Sequence, residues 1–179
     1  MKHLKQVSLS WPKQLLLIFI LLFTLNSCKD KDTGTPESVN NPVKDNTGDQ
    51  WNTANLTNYE SYAQPGSEEC RNFNGCEYPG KFAFLENTQL ESWVKANNIV
   101  AIHSKDAGTY KLKTLRLKQG NNEIDVKVYD QCSDSDCNGC CTINAHENGQ
   151  SFLIDIEKYT MQRFGSGSGI VQWRCLDCK

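Results

Sequence analysis

The densest run of reactive side chains in this 179-residue chain is Asn121–Cys141, NNEIDVKVYDQCSDSDCNGCC. Asp130 ends an alternating stretch that puts Ile124, Val126 and Val128 on its own side and Asp125, Lys127 and Tyr129 on the other, as a strand of period two requires. A carboxylate at the lip of an apolar face is costly unless it is hydrogen-bonded or put to use. Asp130 is therefore a candidate for acid–base chemistry, the plainer alternative being a carboxylate that pins a loop through backbone amides. Four cysteines follow within ten residues, Cys132, Cys137, Cys140 and Cys141, with Asp134 and Asp136 among them. Cys137-x-x-Cys140 and Cys175-x-x-Cys178 have zinc-ligand spacing. Asp134-x-Asp136-x-Asn138-Gly139 opens like an EF-hand loop, but Ala145 stands where the bidentate Glu belongs. Calcium is disfavoured on that ground. His103, just after the apolar run Ile99–Ile102, reads as a structural strand-end residue.

The elements that would position these groups are mostly short strands. A strand is expected over Ala54–Tyr59, a buried one over Ile99–Ile102, and another over Leu112–Gln119 with Leu115 and Leu117 inward. Gln119-Gly120-Asn121-Asn122 turns that strand into the Asp130 strand as a hairpin. Thr88-Gln89-Leu90-Glu91 has the form of a capping box opening a short helix through Trp93 and Val94. Phe152–Ile154 reads as a brief strand, Asp155 as the N-cap of a helix over Ile156–Phe164, and Gly165 as its stop. Ile170–Cys175 closes with one more strand, and Gly66–Gly80 is a loop held by Cys70 and Cys76.

The N-terminal end of the chain carries an address rather than fold. Lys2, Lys5 and Lys13 precede the unbroken apolar run Leu15–Phe23, a signal-peptide core too short to span a bilayer. Leu25-Asn26-Ser27-Cys28 resembles the lipobox of bacterial lipoproteins, which implies cleavage after residue 27 and lipidation of Cys28. Residues 28–53 are expected to be a lipid-bearing tether: Lys29–Gln50 has too few apolar residues to offset the entropy of ordering. Lys29-Asp30-Lys31-Asp32 resembles the tag that sends certain lipoproteins to the outer-membrane surface. Setting Cys28 aside, the nine cysteines leave an even eight: Cys70, Cys76, Cys132, Cys137, Cys140, Cys141, Cys175 and Cys178. In an exported chain an even set reads as disulfides rather than metal ligands, with the pairing left open. The net charge of −2 becomes −5 once Lys2, Lys5 and Lys13 leave with the leader. A mildly acidic domain without a basic stripe argues against nucleic acid. No internal repeat is visible.

The order strand–Asp130–cysteine loop–Phe152-Leu153-Ile154-Asp155–helix–glycine turn–Ile170-Val171-Gln172-Trp173 resembles the second half of the double-psi β-barrel shared by expansins, barwin-like proteins, rare lipoprotein A and family-45 endoglucanases. Ala54-x-Leu56-Thr57-x-Tyr59 is similar to the first strand of those barrels. The resemblance implies a mostly β, disulfide-stabilised six-stranded barrel with short helices over residues 54–179, and a groove for extended polysaccharide, cellulose-like or peptidoglycan. It places Asp155 at the position of the family's essential acid, Asp130 beside it, and Thr57 and Tyr59 among the groove's polar and stacking positions. Where family-45 endoglucanases carry a catalytic base, two residues after the strand's Tyr, this chain has Ser61. The reading implied is a monomeric, surface-anchored protein that binds or loosens wall polysaccharide without hydrolysis, needing no metal or cofactor. The alternatives are a glycan-cleaving enzyme that uses Asp155 as its acid, and a disulfide-rich module that binds protein.

Overall fold

Apolar residues two apart set the inside of every strand. The computed structural model of the chain describes residues 50–73 and 75–179; the leader, Cys28 and residues 29–49 lie outside the described residues. In chain order the elements are β1 (Asn52–Tyr59), α1 (Glu68–Asn72), α2 (Glu91–Ala96), β2 (Ile99–His103), α3 (Ala107–Tyr110), β3 (Thr114–Gln119), β4 (Asn122–Cys132), α4 (Asp134–Cys137), α5 (Cys140–His146), β5 (Leu153–Glu157), α6 (Lys158–Phe164) and β6 (Gly169–Cys175). The strands close into a barrel in the order β1-β5-β2-β4-β3-β6. This is the six-stranded double-psi barrel that the resemblance implied. The β1/β5 and β2/β4 pairs are parallel and the other four are antiparallel. Exchanging β1 with β4, β2 with β5 and β3 with β6 reproduces the same set of pairings, a twofold pattern that the sequence does not display as a repeat. Each of the six ladders joins a strand from the first three to one from the last three.

The barrel interior is filled by Leu56, Val100, Ile102, Leu115, Leu117, Val126, Val128, Ile154, Ile156 and Val171. Truncating any of the leucines or isoleucines among these to Ala would cost roughly 2–5 kcal/mol. The ring of Phe152 stacks on Trp173 at 4.3 Å, and Tyr110 meets both edge-on at 5.5 and 5.3 Å. Outside the barrel, Ile99 packs with Phe82 and Val94, so β2 is buried on both faces.

Four sequence expectations shift. α6 starts at Lys158, and its N-cap is Glu157, whose Oε2 accepts from the Tyr159 amide at 2.7 Å. Asp155 is not the cap, because it sits mid-strand, paired with Thr57 of β1 on one side and Ala101 of β2 on the other. The capping box at Thr88 does not form. The Gln89 amide is bonded to the Gly80 carbonyl and the Gln89 carbonyl accepts from Tyr62 Oη, which holds that stretch extended until Leu90. β3 begins at Thr114, since Leu112 takes a left-handed turn with φ 59°, and β1 begins at Asn52, two residues ahead of the expected domain start. The cysteine loop folds into α4 and α5. Gly165 ends α6 with φ 80°, as expected.

Candidate functional site

A β-bulge aims Asp130. β2 and β4 run in register until Val100 faces Val128, and the next β2 residue, Ala101, faces Asp130, with Tyr129 as the extra residue. Strict alternation had put Asp130 on the apolar side with Val126 and Val128. The inserted residue reverses it, as bulges do. Tyr129 packs outside against Trp93 at 5.4 Å. The pairings Thr57↔Asp155, Asp155↔Ala101 and Ala101↔Asp130 therefore form one row across four strands on the outer face. Two strand spacings separate Asp155 from Asp130, roughly 10 Å between Cα atoms, with the small Ala101 between them.

This row floors an open groove of about 620 Å³, with Tyr59, Asp136 and the 73–88 segment on its walls. Thr57 Oγ1 donates to Asp155 Oδ1 at 2.7 Å. Burial pushes the Asp155 carboxyl up to about 7; the Glu69 and Asp130 charges add to this, and the Thr57 bond opposes it. Asp155 thus keeps its proton to higher pH than an exposed carboxyl does, as a general acid must. Asp130 Oδ1 accepts from the Ala83 and Gln131 amides, both at 2.9 Å. Burial raises Asp130 to about 6 against those bonds. Tyr59 Oη is shielded from solvent without a hydrogen bond of ordinary geometry. Burial first, then the Asp130, Asp155 and Glu157 charges, push its phenol well above the usual range. The groove thus joins all four side chains that the sequence singled out, Thr57, Tyr59, Asp130 and Asp155.

Ser61 has a structural role. Its hydroxyl, buried, donates to Glu157 Oε1 at 2.9 Å and so supports the cap of α6. Glu60 is turned to Lys158 at 2.9 Å. Sequence reasoning missed Glu69, whose carboxylate enters the groove from α1, and also Phe73 and Tyr78, both more than half exposed on the same loop. The loop has no periodicity; its only legible signal is Ser67, which caps α1 ahead of Glu68 and Glu69.

The disulfide pairing is local: Cys70–Cys76, Cys132–Cys141, Cys137–Cys140 and Cys175–Cys178. Both Cys-x-x-Cys spacings close on themselves. The EF-hand-like Asp134 spends its carboxylate on Thr142, accepting from its amide at 2.9 Å and its hydroxyl at 2.6 Å. Those bonds hold its pKa below the ordinary value. His103, buried at the end of β2, bonds through Nε2 to Thr142 Oγ1 at 2.9 Å while its Nδ1 accepts from the Lys105 amide at 3.2 Å. It ties α5 to the barrel, as a strand-end residue does.

No protein-family model matches the chain, and no curated protein matches its sequence. Solved structures similar to it include an apo expansin from Clavibacter michiganensis, at 12% identity and a TM-score of 0.42 over 71% of this chain and 50% of that one. The chain thus spans half the length of that expansin. Another is the GH45 endoglucanase EG27II in complex with cellobiose, at 14% identity and a TM-score of 0.44, covering 71% of this chain and 81% of that one.

Proposed function

We propose that the groove binds an extended polysaccharide of the cell wall and that Asp155 acts on it as a hydrogen donor to a glycosidic oxygen. The observation that carries this reading is the row Thr57–Asp155–Ala101–Asp130 on the floor of an open groove, with Asp155 raised by burial to about 7. A carboxylic acid that stays protonated near neutrality can bond to an acetal oxygen, which accepts and never donates. The half-exposed rings of Phe73 and Tyr78 offer flat apolar surface to the ring faces of sugars. In the protein's setting, Cys28 carries lipid and holds the domain at the outer-membrane surface, within reach of wall polysaccharide.

On β1 alone the reading is non-hydrolytic loosening, because Ser61 and Glu60 are committed to Glu157 and Lys158. A second reading, cleavage, has Glu69 in its favour.

The test is retention of the purified chain on insoluble cellulose, chitin and peptidoglycan at pH 5 and pH 8. Retention on at least one at pH 5, weakening as pH rises through 7 and lost in Asp155→Ala at both pH values, is the expected result. No retention on any of the three, or an Asp155→Ala variant that binds as wild type does, would overturn it.

A further inference from the structure

The strand that lacks a carboxylate faces a loop that supplies one. Glu69 lies in the first turn of α1, one residue before the Cys70–Cys76 bridge. Its backbone carbonyl accepts from the amides of Phe73 at 3.1 Å and Gly75 at 3.0 Å, so the bridged loop folds back onto it. Its side chain crosses residue 75 so closely that a Cβ there would lie 2.6 Å from Glu69 Cγ. Only glycine leaves that path open. At its far end the carboxylate is faced by the backbone amide of Glu60, the residue that follows β1. The side chain is thus directed, half-buried, into the groove that Asp155 floors, and its charge bears on Asp155 more strongly than that of Asp130 does.

Asp130 is poorly placed to collect a proton from water. One of its oxygens already takes two backbone amides, and its row places it on the same floor as Asp155, with Ala101 between them. Glu69 comes from a different element, α1, and lines the same open groove as Asp155. Inverting cleavage of a glycoside needs such a pair on opposite faces of the scissile bond, about 6.5–9.5 Å apart.

We propose that Glu69 is the proton acceptor of a glycan-hydrolysing site in this groove, with Asp155 as the proton donor. The inference rests on the polysaccharide reading of the groove. As the bond from the anomeric carbon to the glycosidic oxygen breaks, its electron pair goes to the oxygen, which takes the Asp155 proton. Water forms the new bond to the anomeric carbon and gives its proton to Glu69. Exchange with solvent then returns one proton to Asp155 and removes one from Glu69.

The test uses the purified full chain and its Glu69→Gln, Glu69→Ala and Asp155→Asn variants on phosphoric-acid-swollen cellulose and on peptidoglycan sacculi. Gln still accepts from the Glu60 amide, so equal melting temperatures separate a chemical role from a structural one. Wild type is expected to release new reducing ends, and Glu69→Gln and Asp155→Asn to lose ~10²–10⁴-fold of that rate. Azide, a nucleophile that needs no base, restores turnover in Glu69→Ala and not in Asp155→Asn. Independently of substrate, the carboxyl carbon resonance of Asp155 titrates at lower pH in Glu69→Gln than in wild type. An unchanged Asp155 titration overturns the proposal outright. Wild type that is retained on a polysaccharide yet releases no reducing ends from it overturns the Glu69 role and leaves the binding reading standing. No retention at all removes both.

Discussion

Replacing Asp155 by Asn should make the barrel more stable, and increasingly so as pH rises. In the folded protein the Asp155 carboxyl is pushed up to about 7 by burial, from an ordinary value of 3.8. The folded state therefore holds this proton more tightly than the unfolded chain. The resulting stability is fully present below the unfolded pKa and is lost as pH rises through the folded one. A shift of about three units corresponds to on the order of 4 kcal/mol at the alkaline end, a ceiling that relaxation of the groove will reduce. Asn carries no charge at any pH and keeps an oxygen for the Thr57 hydroxyl, which now donates at 2.7 Å. At pH 4 the two proteins should melt together. By pH 8 the variant should melt higher by on the order of 10 °C, given roughly 3–5 °C per kcal/mol for a domain of this size. The other carboxyls raised by burial, Glu69, Asp106, Asp130 and Glu157, are present in both proteins and largely cancel in the difference. Calorimetry at half-unit steps from pH 4 to 8, with disulfides intact, reads it directly. A gap that does not change with pH, or a variant less stable than wild type at pH 8, would refute the reasoning, because the carboxylate would then be neither desolvated nor a burden on the fold.

Glu157→Ala should cost roughly 2–4 kcal/mol, measured by urea unfolding, since it removes the cap of α6 and strands the Ser61 hydroxyl; Glu157→Gln should recover most of it. Full reduction should add about 8 Da to the secreted chain, two hydrogens for each of the four bridges. Because these bridges span only 3–9 residues, each contributes roughly 2–3 kcal/mol, and the reduced barrel should keep its β circular dichroism while the loops around the groove lose protection in amide exchange. Cys28→Ala should release the protein from membranes or leave its leader attached, as read by fractionation and gel mobility.

The strands were legible because period two survives in them: Leu115 and Leu117 are inward, as their spacing requires, and β2 is buried throughout. What alternation could not register was one residue, Tyr129, inserted opposite nothing on β2. A bulge leaves no mark in composition, and it moved Asp130 from the core side to the groove. The error at Asp155 has a related origin. Asp and Glu both cap helices, and only the pairing of Asp155 on both flanks extends β5 to Glu157. Thr57, Tyr59, Asp130 and Asp155 were singled out through their order along the chain, and the groove brings them together. Glu69 was invisible because it approaches from a loop whose path is set by a disulfide and by Gly75, neither of which has a period.

The interleaving of the two halves governs when the barrel can form. No strand among the first three pairs with another of the three, so a growing or threading chain has no ladder to close until Asn122 and the residues beyond it emerge. β1 must wait longer still, for β5 and β6 at residues 153–175. Apart from the β3–β4 hairpin, every ladder that encloses the barrel thus joins strands far apart along the chain, a topology that folds slowly. The same delay keeps the leading half unstructured while the trailing half is still being delivered. A sheet whose first strand is completed by its last closes only once the whole chain is available.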